Sequence, residues 1–204
     1  MISPLPPAGA ERCWLCCCCR VPTAVVPESF LSFNFDWNLN ATGKQDAWSD
    51  ASFGWTLDLQ NTRLRTLAKA LSPANLRIGG SDADSAVYNE EFPGGIACPP
   101  EVIAKRVCLT PARWDETIAF ANATGLRIAF TLNMMAGRCG KPSCGHTGTG
   151  PWDSTNARAL LTYTAKKYPN FAQHGFELGD LCIEIDEFCI EIDEFCIEID
   201  EFCI

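Results

Sequence analysis

The side chains best suited to chemistry in this chain stand where apolar or aromatic runs stop. Asp36 and Asn38 close the run that begins at Ser32-Phe33-Asn34-Phe35, and Gly79-Gly80-Ser81-Asp82 follows Leu76-Arg77-Ile78. Asn133 follows Leu126 to Leu132, and Asp180 follows Gly175-Phe176-Glu177-Leu178-Gly179. Carboxylate, amide, hydroxyl and glycine backbone N–H groups offer donors and acceptors in fixed directions, which is how a polar ligand is held and oriented. Each residue also has a plainer role, Asp36 as a solvated loop acid and Asn38 and Ser81 as turn formers. A second group, Cys139, Cys144 and His146, has metal-ligating chemistry but only three members and no recognised zinc spacing. The same two cysteines suit a loop disulfide, as do Cys98 and Cys108, since Cys98, Cys139 and Cys144 lie beside Gly or Pro and Cys108 three residues before Pro111.

The elements that must position these residues are legible from periodicity. Ser29 to Trp37 alternates apolar and polar side chains and reads as a strand. Leu64, Leu67, Ala68 and Leu71 fall on one helical face, and Ser72-Pro73 stops that helix. Leu76-Arg77-Ile78 is a short strand, and residues 90–101 form a Pro/Gly loop. Thr110-Pro111 opens a helix with inner face Trp114, Thr117, Ile118 and Ala121, and Gly125 closes it. Leu126 to Leu132 is a strand covered on both faces. Asp153 or Ser154 caps a helix with inner face Ala157, Leu160, Leu161, Thr164 and Tyr168, and Gly175 to Gly179 is the next strand. This strand–helix alternation predicts an α/β fold with a parallel sheet. The pattern does not separate a barrel from a doubly wound sheet, although Gly79-Gly80 lacks the G-x-G-x-x-G spacing of a nucleotide site. In a barrel, strand-end polar groups line the active site.

Leu64-Arg65-Thr66-Leu67-Ala68, Leu71-Ser72-Pro73-Ala74 and Leu76-Arg77-Ile78-Gly79-Gly80-Ser81 closely resemble glycoside hydrolase family 79, the heparanase-like enzymes. Ser32 to Leu39, Ala129-Phe130-Thr131-Leu132-Asn133, Ser154-Thr155-Asn156-Ala157 and Phe176-Glu177-Leu178-Gly179 follow in that family's order, so the resemblance spans about residues 28–181. It implies a retaining endo-glycosidase on a (β/α)₈ barrel acting on uronic-acid-containing glycans. Asp36, Asn38, Gly80 and Ser81 match positions near the family's substrate cleft, and Asn133 ends one of the barrel strands. No cofactor or metal is implied, and the family suggests a secretory or extracellular setting.

Retaining hydrolysis needs two carboxyl groups roughly 5–5.5 Å apart. The family's acid/base is the Glu of Gly-Asn-Glu at the end of the fourth barrel strand. Here the chain reads Gly179-Asp180-Leu181, so Asp180 is the only acid near the position and Leu181 transfers no proton. Glu177 precedes the strand end and matches a non-catalytic Glu. The expected architecture is therefore the first half of a (β/α)₈ barrel, truncated after its fourth strand. It is expected to be inactive in isolation, with an unpaired strand edge. The second reading is a glycan-binding protein without catalysis, and the third an oligomerising module.

The third reading rests on the tail. Residues 182–204 hold three copies of Cys-Ile-Glu-Ile-Asp-Glu-Phe followed by Cys203-Ile204. Ile185, Phe188, Ile192, Phe195, Ile199 and Phe202 fall at heptad spacing, but Ile190 and Ile197 lie outside the seam. Perfect identity between copies reads as recent duplication of a short tract. The tail also supplies the acidity. Nine of the 25 Asp and Glu lie in it without a Lys or Arg, and the 16 acids elsewhere match 16 Lys and Arg. The net charge of -9 thus says nothing of partners, and no basic run points to nucleic acid. Residues 1–27 read as an unstructured leader or a misplaced start. They have no apolar signal core, but Cys16 to Cys19 are open to palmitoylation and hence to membrane association. No apolar run approaches the ~18 residues of a membrane span. Asn40-Ala41-Thr42 and Asn122-Ala123-Thr124 are N-glycosylation sequons.

Overall fold

The computed structural model of the 204-residue chain describes residues 26, 28–37, 57–104, 107–144, 148–171 and 174–178. Its elements run β1 (Ser32–Asp36), α1 (Thr62–Ala70), β2 (Asn75–Gly79), a 3₁₀ turn (Ser81–Ser85), β3 (Val87–Tyr88) and α2 (Pro100–Ala104). They continue with β4 (Cys108–Leu109), α3 (Pro111–Thr124), β5 (Arg127–Leu132), α4 (Thr155–Lys167) and β6 (Gly175–Leu178). Strands β1, β2, β5 and β6 form one parallel sheet in that order, and β3 pairs with β4 in a small second sheet. The fold is mixed α/β with a parallel sheet, as the strand–helix alternation requires.

Period-two alternation divides the sheet's side chains between its faces. Leu76, Ile78, Ile128 and Phe130 are buried on one face, with Phe33, Phe35 and Phe176 packed against the same core. Trp114 of α3 is fully buried there, 4.8 Å from the Phe130 ring and 6.1 Å from Phe176, centroid to centroid. Its indole N–H donates to Thr164 Oγ1 at 2.9 Å, which fixes α4 against α3. The other face carries a polar row. Arg77 on β2 donates from Nε and Nη2 to the two oxygens of Glu177 on β6, at 2.6 and 2.9 Å, and from Nη1 to Asn34 on β1 at 3.3 Å. Thr131 on β5 donates to Glu177 at 3.1 Å. Ala129 of β5 pairs in register with Arg77, and its small side chain stands between Arg77 and β6.

Helix ends follow the expected chemistry. Thr110 accepts from Arg113 N, and Gly125 closes α3 in the left-handed region at φ 72°. Asn61 caps α1 by accepting from Arg63 N and Leu64 N. At α4, Ser154 occupies the cap position but its hydroxyl accepts from Arg158 Nε at 3.3 Å instead of from a backbone N–H, while Asp153 accepts from Thr155 N. Both expected disulfides are formed, Cys98–Cys108 and Cys139–Cys144, with Cα atoms 5.9 and 5.6 Å apart. That takes Cys139 and Cys144 out of metal chemistry, and His146 lies outside the described residues. No group of His, Cys, Asp or Glu suited to a metal ion occurs among the described residues.

Two expectations are corrected. Of the apolar face of α1, which amphipathic patterning would turn to the core, Ala68 is buried and Leu64 partly so, but Leu67 is 68% exposed and Leu71 41%. α1 packs against α3, and Arg65 Nε donates to Leu59 O at 2.9 Å, while Leu67 and Leu71 stay in solvent. The Pro/Gly stretch 90–101 is also not wholly loop, since Pro100 starts α2 and Asn89 bridges Ile96. Among the described residues no helix is long and apolar enough to cross a membrane.

Candidate functional site

The C-terminal ends of the parallel strands bring the candidate residues together. Asp36 ends β1 and pairs in register with Gly79, and Trp37 N donates to Gly79 O at 2.6 Å just beyond. Gly80 has φ 111°, a conformation that side-chain-bearing residues rarely adopt. A Cβ placed there would lie 2.0 Å from Asp36 Oδ1. Glycine is thus needed twice over, for the turn and for the approach of the carboxylate. At Gly79 a Cβ would lie 2.1 Å from Thr131 Oγ1, so β2 and β5 also meet through a missing side chain. Ser81 opens the 3₁₀ turn and is exposed beside this junction. Asp36 is exposed as well.

Asn133 takes a different part. It is 2% exposed, and its Nδ2 donates to Ala86 O at 2.7 Å and Pro142 O at 3.4 Å. Its Oδ1 accepts from Met135 N at 2.8 Å, and its backbone N–H donates to the Tyr88 hydroxyl at 3.2 Å. The amide is committed to folding the loop after β5, and a substrate contact through it would have to break these bonds. Asn38 and Asp180 lie outside the described residues. Glu177 is described, and donors from Arg77 and Thr131 occupy its oxygens. This agrees with its reading as a structural acid.

Three supporting residues were not singled out from sequence. Asp84, 1% exposed, accepts from Met134 N at 3.2 Å and ties the turn after β2 to the loop after β5. Asn156, at the start of α4, accepts from Tyr88 N at 2.8 Å and donates to Tyr88 O at 2.6 Å. Tyr88 is buried, and burial drives its phenol well above the ordinary value; the bond from Asn133 opposes this and the nearby Asp84 adds to it. The hydroxyl therefore stays a neutral group at the base of the strand-end loops. The only advance signals were the polar Ser-Asp-Ala-Asp run after Gly80 and the Asn at the head of α4, whose partner is 68 residues away. Beside these loops, Ala136, Lys141, Trp152, Asp153 and Asn156 help line a cavity of about 460 Å³. Asp153 is held below the usual carboxylate value by the side-chain and backbone hydrogen bonds of Thr155.

A parallel α/β sheet with polar residues at its carboxyl strand ends is an arrangement on which many unrelated enzymes and binding proteins place their sites. Comparison with known proteins narrows this to one family. Residues 16–201 match the model for the glycosyl hydrolase family 79 N-terminal domain, a wider span than residues 28–181. The chain belongs to glycosyl hydrolase family 79. It is 32% identical over 173 residues to heparanase-like protein 3 of Arabidopsis thaliana, covering 80% of this chain and 31% of that protein. It is 32% identical over 136 residues to the baicalin-beta-D-glucuronidase of Scutellaria baicalensis, 59% of this chain and 26% of that protein. Chicken (Gallus gallus) heparanase is 26% identical over 200 residues, 79% of this chain and 34% of that protein. The chain thus spans about a third of the length of the curated relatives it matches.

Proposed function

We propose that this chain carries the sugar-recognising part of a heparanase-like cleft on the first half of a (β/α)₈ barrel. We further propose that it binds uronic-acid-containing glycans without hydrolysing them. The observation that carries the reading is the Asp36–Gly80 junction. A carboxylate is held at the strand-end face by a glycine whose missing side chain makes room for it. Carboxylates and hydroxyls such as Asp36 and Ser81 pair naturally with sugar hydroxyls, and backbone N–H groups at Gly80 add fixed donors. Asn38 belongs to the same proposed set. The family's place among heparanases and a glucuronidase supports a uronic acid as the ligand class, and the two disulfides favour a secretory setting.

Absence of hydrolysis rests on the sequence at 179–181. Asp180 is one methylene shorter than the expected Glu, and Leu181 carries no proton. Losing a general acid/base costs about 10²–10⁴ in rate. The assay is release of new reducing ends from heparan sulfate, or of aglycone from a glucuronide, by the purified chain. None is expected, and turnover that Asp180→Ala abolishes would overturn the reading.

A further inference from the structure

The last turn of α3 carries a second kind of chemistry. Asn122-Ala123-Thr124 is an N-glycosylation sequon, and the fold treats its two polar residues in opposite ways. Asn122 faces solvent, while Thr124 is 1% exposed with its hydroxyl donating to Phe120 O at 2.8 Å and Ala121 O at 3.2 Å. Asn122 lines a groove of about 230 Å³ whose other walls include Tyr168, Pro169, Asn170 and Phe171. The partly exposed Tyr168 ring and the exposed Pro169 stand beside Asn122 and offer a place for the C–H face of a first sugar residue, while Phe171, 2% exposed, belongs to the core beneath. Because α3 runs back toward the start of β5, this seat lies at the end of the sheet opposite the Asp36–Gly80 junction. A bulky glycan there leaves the strand-end face open. The Cys98–Cys108 and Cys139–Cys144 disulfides fit the oxidising lumen in which such glycans are added.

We propose that Asn122 carries an N-linked glycan added before α3 closes. The donor is an oligosaccharide on a lipid diphosphate, and the catalyst is a membrane-bound oligosaccharyltransferase. The Asn122 amide nitrogen forms a bond to the anomeric carbon of the first sugar. The bond from that carbon to the diphosphate oxygen breaks, the lipid diphosphate leaves with the electron pair, and the amide gives up one proton to a base. No oxidation occurs. Recognition of a sequon requires its hydroxyl to be reachable. In folded α3 that hydroxyl is buried against the carbonyls of the preceding turn. The transfer therefore precedes folding of the helix, and the folded protein then keeps the modified Asn122 in solvent.

The test is expression of the full chain in a eukaryotic host, recovered from both cells and medium. It is followed by peptide:N-glycanase digestion in heavy-oxygen water and mass mapping of the peptide that contains position 122. The expected result is labelled Asp at 122 and a loss of chain mass on digestion. Asn122→Gln and Thr124→Val should abolish the label at 122, whereas Thr124→Ser should keep it. Asn122→Gln changes an exposed side chain, so an unfolded variant does not confuse the outcome. Unmodified Asn122 in the recovered chain would overturn the proposal, as would an unchanged glycan mass in Asn122→Gln. For the order of events, microsomes should glycosylate the chain during translation but not after it has been released and folded. Equal modification in both would overturn that part.

Discussion

Alanine at Gly80 is the perturbation that separates site geometry from stability. Its new Cβ would fall 2.0 Å from Asp36 Oδ1 and 3.2 Å from Asp36 Cγ, with the backbone at φ 111°. The clashing oxygen ends an exposed side chain, so the carboxylate swings away, and the main cost is the strained backbone, about 1–3 kcal/mol. Gly79→Ala is the control. There Cβ would meet Thr131 Oγ1 at 2.1 Å, and Thr131 is fully buried and bonded to Glu177. Overpacking of that kind costs about 1–3 kcal/mol, and the lost hydrogen bond adds about 1 kcal/mol. Stability thus falls at least as far at Gly79 as at Gly80. Binding should respond in the opposite order. Turning Asp36 away removes a charge-assisted hydrogen bond worth about 1.5–3 kcal/mol, or about ten- to a hundredfold in Kd for a heparan sulfate oligosaccharide. Urea denaturation gives the first quantity and calorimetric titration of folded protein the second. A Gly80→Ala protein that binds like the unaltered chain, or a Gly79→Ala protein that loses as much affinity, would refute the reasoning.

Other expectations follow from the same framework. Phe130→Ala empties the centre of the ring cluster formed with Trp37, Trp114 and Phe176 and should cost about 3–5 kcal/mol in urea unfolding. Replacing Cys98 and Cys108 together by alanine opens a loop with a sequence separation of 10 and should cost about 3 kcal/mol by chain entropy. His174 is lowered from its ordinary value by burial and then by Arg127, and its Nδ1 accepts from Ile128 N at 3.0 Å. The unfolded chain therefore binds the proton first. The stability His174 contributes is intact above about pH 6.5 and is lost as pH falls from there through the lowered folded value. His174→Gln should flatten that part of the curve of urea midpoint against pH. Asp115 is pushed up by burial, but bonds from Lys167, Tyr168 and Tyr163 outweigh this and hold it below the usual carboxylate value. Its contribution is lost at lower pH, as the carboxylate protonates, and Asp115→Asn should remove that acid limb.

Much of the framework could be read from residue order because it depends on local signals. Thr110 and Gly125 announced α3, the apolar run to Leu132 announced β5, and two pairs of cysteines close in sequence, in or near Gly/Pro-rich stretches, announced both disulfides. What escaped depends on distant partners. Strands β3 and β4 are two residues long, too short for periodicity to register. Arg77 and Glu177 meet across 100 residues of sequence, and Asn156 and Tyr88 across 68. The stripe Leu64, Leu67, Ala68, Leu71 correctly signalled a helix but overstated burial, because periodicity reports a face and not what covers it. At the site, Asp36 and Gly80 were legible as strand-end residues, yet their contact through a missing Cβ appears only in three dimensions.

The most direct test of the account is one calorimetric comparison, a titration of the purified chain and of its Asp36→Ala variant with a heparan sulfate oligosaccharide at constant salt. Saturable binding that weakens about ten- to a hundredfold in the variant is expected from the loss of one charge-assisted hydrogen bond. Absence of binding by the unaltered chain, or equal affinity in both proteins, would contradict the claim that Asp36 at the Gly80 junction recognises a sugar.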